Sequence, residues 1–315
     1  MKNKCLYCYE AIEKGYDFHE ECSVKFFGLK IPPVLEYSLS EMNALAKKVV
    51  ERSITVPGVQ PKLSMSLEKK VTLKSDTRLT VIGALGGNYI FKPPTDHFPE
   101  MPENEHLTMR IAEIFGIRVV PSSLIRLTSG ELAYITRRID RTDRGEKIHM
   151  LDMFQITEAF DKYKSSMEKI GKAIDQFSDN TVLDKIIFFE LALFNFITGN
   201  NDMHLKNFSM IESVSGWTLA PAYDLLNVTI LNPGDDEELA LTLSGKKKKL
   251  KREHFEGLGS GLGLNKKQME SAFNRMEKNF GQAFKFIDES FLSKEMKAAY
   301  KVVMNDRVHR LHLRS

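Results

Sequence analysis

The chain has 315 residues, 42% of them hydrophobic and 28% charged, with a formal net charge of +3. That is room for two domains, or for one bilobal unit with a core in each lobe, at an ordinary globular composition. No apolar run approaches the roughly 20 residues that span a bilayer, no apolar segment follows the basic start to make a secretory signal, and so small a net charge does not describe a surface built to hold nucleic acid. The expected location is the cytoplasm, with no membrane contact.

All three cysteines fall in the first 22 residues. Cys5, Cys8, His19 and Cys22 read C-x2-C-x10-H-x2-C, with Gly15 between the two pairs where a turn can sit. Two readings stay open. One is a structural Zn2+ gripped tetrahedrally by all four residues, with no position left for chemistry. The other is a ribbon that folds without metal. Either way residues 1–30 form a small Cys/His module, closed by Pro32-Pro33.

Residues 34–52 carry Leu39, Met42, Leu45, Ala46, Val49 and Val50 at helical spacing behind Ser38 or Ser40 as a cap. Residues 54–67 alternate and hold Pro57, Gly58 and Pro61, which predicts strand, turn and strand. Short β segments follow over 71–92, then a helix over 103–116 stopped by Gly116, then two more strands in 117–127 and 131–139. From His149 the pattern turns helical: 150–160, 167–177, the almost wholly apolar 182–199, and the amphipathic segments 266–291 and 293–313. The predicted fold class is therefore α+β, bilobal and protein-kinase-like: a β-rich N-lobe over 31–145 and a mostly helical C-lobe over 146–315.

The most informative stretch is Gly199-Asn200-Asn201-Asp202-Met203-His204-Leu205-Lys206-Asn207. Asp202 and Asn207 have the D-x-x-x-x-N spacing of a phosphoryl-transfer loop, in which the aspartate takes or orients the proton of the attacking hydroxyl and the asparagine holds magnesium. Asp224 follows a short β segment, Trp217–Leu219, where a second metal ligand belongs. Lys92 ends an apolar strand, a poor place for an unpaired ammonium. Glu105, on the next predicted helix, is the expected partner. Gly58, flanked by Ser53, Thr55 and Gln60, sits in a turn that reads as a phosphate-binding loop or a plain hairpin. Backbone groups of Arg137, Arg138 and Ile139 are candidates for holding adenine, with Asp140 and Arg141 in a structural ion pair. Lys246–Lys249, Lys251 and Arg252 make a basic run, either a solvated loop or a patch for an acidic partner.

These motifs resemble those of the HipA family. "VPGVQPK" (56–62) resembles its V-A-G-A-Q-x-K loop and "IFKPP" (90–94) its I-x-K-P strand. "ENE" (103–105) matches its helix signature, "RRIDR" (137–141) its E-R-F-D-R, "NNDMHLKNFS" (200–209) its T-D-x-H-x-K-N-F-S, and "PAYDLL" (221–226) its P-x-Y-D-x-L. The resemblance implies a toxin-type serine/threonine protein kinase using ATP and Mg2+. In it Asp202 is the catalytic aspartate and Asn207 and Asp224 are the metal ligands. The nucleotide set is Gly58, Val59, Gln60, Lys62, Lys92, Glu105, Arg137, Arg138, Ile139, His204 and Lys206. Ser53 and Thr55 are the sites of inhibitory autophosphorylation.

The resemblance further implies an aminoacyl-tRNA synthetase as protein substrate, tryptophanyl before glutamyl, and a HipB-like DNA-binding antitoxin that is the chain's only route to DNA. About 50 residues precede the glycine loop here, as in the short form called HipT, which implies a small HipS-like polypeptide as a further partner. The hinge departs from the family in losing its glutamate and phenylalanine. Two other readings stand beside this one: a small-molecule or lipid kinase of related fold, and a kinase-like component of an antitoxin–DNA complex.

Overall fold

The computed structural model describes residues 3–52, 62–69, 77–83, 87–142 and 144–313. Ser53, Thr55, Gly58, Val59 and Gln60 lie outside the described residues. The chain divides into two compact units. The first takes Met1–His106, Val120–Lys147 and Glu289–Phe291; the second takes Leu107–Val119, Ile148–Asp288 and Leu292–Ser315.

The first unit is built on an antiparallel sheet of five strands: β1 (Leu63–Lys69), β2 (Thr77–Gly83), β3 (Tyr89–Lys92), β4 (Ser122–Arg126) and β5 (Leu132–Arg137), in the order β2-β1-β3-β5-β4. The central strand β3 is short and apolar, and its register against β5 sets Phe91 opposite Ile135 and Lys92 opposite Tyr134. Two helices precede the sheet, α1 (Glu20–Phe27) and α2 (Leu39–Arg52). The start of α2 is fixed by reciprocal bonds: the Glu41 amide donates to Ser38 Oγ, and the Glu41 carboxylate accepts from the Ser38 amide at 2.7 Å. Phe26 and Phe27 of α1 pack their rings on Tyr89 of β3. A third helix, α3 (Met101–Ile114), starts in this unit and is counted with the second from Leu107. It stops at Gly116, whose φ of +77° is open to glycine at little cost.

The second unit opens with β6 (Met150–Asp152) and the short α4 (Met153–Ile156). This corrects the helix expected over 150–160. Residues 150–152 pair instead with the strand Ser209–Ser213, and Asp152 caps α4 by accepting the Gln155 amide at 2.9 Å while Gln155 accepts the Asp152 amide. Then come α5 (Met167–Phe177), α6 (Thr181–Thr198), the strands β7 (Ser209–Ser213) and β8 (Gly216–Leu219), α7 (Val228–Leu231), α8 (Arg252–Gly261), α9 (Lys266–Lys278), α10 (Phe280–Glu289) and α11 (Lys294–Arg310). The three short strands form one sheet, β6-β7-β8.

Helix α6 is the spine of the unit, buried without a break from Phe188 to Thr198. Its rings meet others edge-on: Phe194 with Phe115, Phe189 with Phe273. Each fully buried phenylalanine contributes on the order of 1.5–3 kcal/mol. Among the described residues no helix is long and apolar enough to cross a membrane.

Part of the basic run is paired with acidic side chains. Lys247 pairs with Glu237 at 3.0 Å, Lys248 with Asp236 at 2.7 Å, and Arg252 with Glu256 and Glu270. The acidic residues 235–238 meet it in space, and that pairing has no local signature in the sequence.

Candidate functional site

Within the second unit the end of α6 delivers the D-x-x-x-x-N loop. Gly199 caps the helix with φ +72°, and a Cβ there would stand 2.8 Å from Asn227 Oδ1 and from Val303 Cγ1. Only glycine fits both the conformation and the space. The next residue, Asn200, is fully buried. Its Oδ1 accepts from the Asp202 amide at 3.4 Å, and its Nδ2 donates to Asn195 Oδ1 at 3.0 Å and to the Asp224 carbonyl at 3.5 Å. One asparagine therefore ties the segment that carries Asp202 to the segment that carries Asp224. Asn201 anchors the same turn from its other side, donating to Asp235 Oδ2 and the Glu237 carbonyl at 3.2 and 3.0 Å.

Asn207 lies in a one-turn 3-10 helix, Leu205–Asn207, and its Nδ2 donates to the Asp202 carbonyl at 3.1 Å. That bond orients the amide and leaves Oδ1 as its accepting atom. Asp224 sits at φ +55°, in the left-handed region where aspartate is one of the few side-chain-bearing residues tolerated. Its segment is held by a bridge between Val119 and Ala222, with the Ala222 amide donating to the Arg118 carbonyl at 2.8 Å. Asn207 Oδ1 and the Asp224 carboxylate are hard oxygen donors of the kind magnesium takes, so the donor set fits that ion.

Asp202 Oδ1 accepts a hydrogen bond from the Tyr163 hydroxyl at 2.8 Å. Burial, and then that bond to a carboxylate, push the Tyr163 hydroxyl above its ordinary pKa. The bond is of the kind an incoming hydroxyl would make to the same oxygen. His204, 7% exposed, has its ring against Tyr163 and its Nε2 2.9 Å from Lys162 Nζ. Burial lowers the His204 pKa, against the pull of the Asp202 carboxylate. A lysine ammonium has no acceptor, so His204 Nε2 accepts from Lys162. Lys206 lies over the Phe154 ring, 4.8 Å from its centre.

The first unit holds the remaining expected residues. Lys92 Nζ donates to Glu105 Oε1 at 2.6 Å, with both side chains almost fully buried, and lies 5.2 Å from the centre of the Tyr134 ring. Lys62 is exposed. Of the adenine-binding candidates, two amides are spent within the unit: that of Arg137 donates to the Pro121 carbonyl at 2.9 Å and that of Arg138 to the Asn88 carbonyl at 2.8 Å. The Arg137 carbonyl in turn accepts from the Thr136 hydroxyl at 3.5 Å. Asp140 is gripped by Arg138 and Arg141, each at 2.6 Å. Burial opposes its ionisation, but the two guanidiniums hold its pKa below the ordinary value.

Sequence reasoning missed Asn200, Tyr163 and Lys162. Asn200 in an Asn-Asn-Asp turn looks like any turn residue. Tyr163 and Lys162 lie some 40 positions upstream and reach the loop only through the fold.

A candidate kinase of Haemophilus influenzae is 29% identical over 211 residues, 62% of this chain and 59% of that protein. The serine/threonine-protein kinase toxin HipA of Shewanella oneidensis is 24% identical over 252 residues, 73% of this chain and 56% of that protein. A solved structure of Shewanella HipA with HipB and operator DNA matches this fold with a TM-score of 0.66 at 24% identity, covering 82% of this chain and 65% of that one. The proinflammatory kinase CtkA of Helicobacter pylori matches with a TM-score of 0.52 at 17% identity, covering 71% of this chain and 87% of that one. At such identities these two likenesses establish the fold. The matched segments span 42% to 59% of the curated relatives' lengths. The model of the HipA-like C-terminal domain matches residues 54–284, most of the chain, and the chain belongs to that family.

Proposed function

We propose that this chain is an ATP- and magnesium-dependent serine/threonine protein kinase of the HipA type. The observation that carries the reading is the junction at Asn200, where one buried side chain bonds both the Asp202 amide and the Asp224 carbonyl. A loop with a base and a metal ligand five residues apart, tied to a second carboxylate segment, is the arrangement phosphoryl transfer needs.

In this reading Asp202 orients the attacking hydroxyl and accepts its proton, displacing the Tyr163 hydroxyl from Oδ1. Asn207 Oδ1 and the Asp224 carboxylate hold magnesium, which when bound neutralises charge on the ATP phosphates. The family motifs assign Lys92 and the 56–62 segment, with Gly58, Val59, Gln60 and Lys62, to the ATP phosphates. Glu105 keeps the Lys92 ammonium oriented. By the resemblance, backbone groups of Arg137, Arg138 and Ile139 serve adenine.

The finer assignments rest on the motifs at 56–62, 200–209 and 221–226 and on the relatives. They are an aminoacyl-tRNA synthetase as substrate, tryptophanyl before glutamyl, neutralisation by a HipB-like antitoxin, a HipS-like small partner, and self-modification at Ser53 and Thr55. Shewanella HipA was solved with HipB and operator DNA, which supports the antitoxin partner. The pairing of Lys247 and Lys248 with Glu237 and Asp236 speaks against direct DNA contact through the basic run.

The test is a phosphoproteome of cells expressing the chain beside its Asp202→Asn variant. The expected result is a new phosphosite on a synthetase, together with phosphate at Ser53 or Thr55, in the wild type alone. Phosphate patterns identical in the two strains would overturn the reading.

A further inference from the structure

The Cys/His module lies outside the segment matched by the family model, and the kinase reading leaves it without a role. In the structure the ligand atoms of Cys5, Cys8, His19 and Cys22 all lie within 4.8 Å of one another. Cys8 Sγ is 3.5 Å and Cys22 Sγ 3.8 Å from His19 Nδ1. Tetrahedral zinc, with Zn–S of about 2.3 Å and Zn–N of about 2.0–2.1 Å, sets nitrogen and sulfur about 3.5–3.6 Å apart. None of the three thiols is in a disulfide.

Three further features distinguish this cluster from thiols packed as small apolar groups. First, the His19 ring bonds the Ala11 carbonyl through Nε2 at 3.1 Å. A carbonyl only accepts, so Nε2 carries a proton, and in the neutral ring Nδ1 turns its lone pair toward the sulfurs. This is the tautomer lock of a metal-ligating histidine. Second, backbone bonds fold the two pairs together: the Cys5 amide donates to the Glu10 carbonyl at 2.9 Å and the Leu6 amide to the Asp17 carbonyl at 2.8 Å. Third, the turn between the first two cysteines is closed by Tyr9 N–H to the Cys5 carbonyl at 3.0 Å, with Tyr9 at φ +68°. A tyrosine in left-handed backbone costs on the order of 1–3 kcal/mol unless its surroundings enforce it.

We propose that Cys5, Cys8, His19 and Cys22 form a tetrahedral three-sulfur, one-nitrogen site for a structural zinc ion that holds the N-terminal segment on the first unit's sheet. Three soft thiolates and an imidazole are ligands zinc prefers, and four protein ligands close the site to chemistry. The segment is too short to be held by a core of its own. What it carries is specific. The Leu6 carbonyl accepts from the Leu124 amide of β4 at 3.4 Å, and the Tyr9 hydroxyl is 2.8 Å from His106 Nδ1, one residue beyond Glu105. Zinc thereby fixes the turn that braces the start of α3.

The experiment uses the full chain, expressed with added zinc and purified without chelator. Mass-spectrometric metal analysis is expected to give about one equivalent of zinc. Exchange with Co2+ is expected to give the visible spectrum of tetrahedral cobalt with sulfur charge-transfer bands. Chelation is expected to lower the melting temperature, and Cys8→Ser/Cys22→Ser to abolish metal retention. Less than about a tenth of an equivalent in folded wild-type protein, for a site of the tightness usual in structural zinc modules, would overturn the proposal. So would an equivalent of iron in place of zinc, an octahedral cobalt spectrum, or undiminished zinc in the double variant. If that variant does not fold, the wild-type metal content and cobalt spectrum decide alone. None of these readouts depends on kinase activity.

Discussion

Lys92→Met is a demanding test of the first unit. The Lys92 and Glu105 side chains are 5% and 1% exposed and 2.6 Å apart. With both charges present such a pair adds little net stability, because desolvation offsets most of the Coulomb gain. Removing one partner is another matter: it costs about 3–5 kcal/mol, since the other charge stays buried. Methionine keeps the length and much of the volume of the lysine stem, so lost packing adds under about 1.5 kcal/mol. Urea unfolding of the full chain followed by far-UV circular dichroism is the assay. With a urea slope of about 1–3 kcal/mol per molar, the midpoint is expected to fall by at least about 1 M at unchanged slope. A Lys92→Met/Glu105→Leu double variant is expected to regain a large part of the loss, since well-packed apolar side chains often replace a buried ion pair without penalty. A single-variant loss below about 1 kcal/mol would refute the argument, because the pair would then behave as a surface pair.

Three further outcomes are expected. Burial raises the Glu103 carboxyl to about 7. Ionising it therefore costs stability, by nothing below about pH 4.5 and in full above about pH 7, so Glu103→Gln should gain up to about 3 kcal/mol at pH 8 and nothing at pH 4; equal gains at both, in parallel urea titrations, would contradict this. At Glu238 burial opposes ionisation, but Arg310 in a two-pronged bond at 2.7 and 2.9 Å, the Leu250 amide and Arg307 bring the carboxyl down to about 2. Its contribution is present above about pH 4.5 and fades as pH falls toward 2, so Glu238→Gln should lose about 2–4 kcal/mol at pH 7 and progressively less in acid; a loss independent of pH would count against it. Asn200→Ala should cost about 1–3 kcal/mol from buried groups left without their bonds and, on the kinase reading, lower kcat at least about tenfold with a smaller change in KM for ATP; unchanged kcat would show that the junction positions nothing.

How far the fold and site could be read in advance differs by residue. Lys92 and Glu105 were legible because a lysine at the end of an apolar strand needs a counter-charge, and a helix with a glutamate in its first turns follows. The Asp202–Asn207 loop was legible because its spacing is local and a buried helix delivers it. Residues 150–160 misled because Met150, Leu151 and Met153 suit a helix as well as a strand, and the choice is made by pairing with β7 some 60 residues later. The two engaged amides at Arg137 and Arg138 were invisible for a related reason: side-chain chemistry says nothing about which peptide groups a neighbouring strand or loop has already taken. Long-range polar partners, such as Tyr163 on Asp202 or Glu237 on Lys247, leave no periodic trace at all.

The central claim is tested most directly by incubating the purified chain with γ-labelled ATP and magnesium beside Asp202→Asn and Asp224→Asn. All three should show the same circular dichroism spectrum, since both residues are half-buried on loops and not in the core of the second unit. The wild type is expected to transfer label to protein hydroxyls, and each variant to fall by about a hundredfold or more, the scale on which a general base or an electrostatic stabiliser acts. Transfer at wild-type rate by either variant, or none by the folded wild type in the presence of a synthetase substrate, would contradict the account.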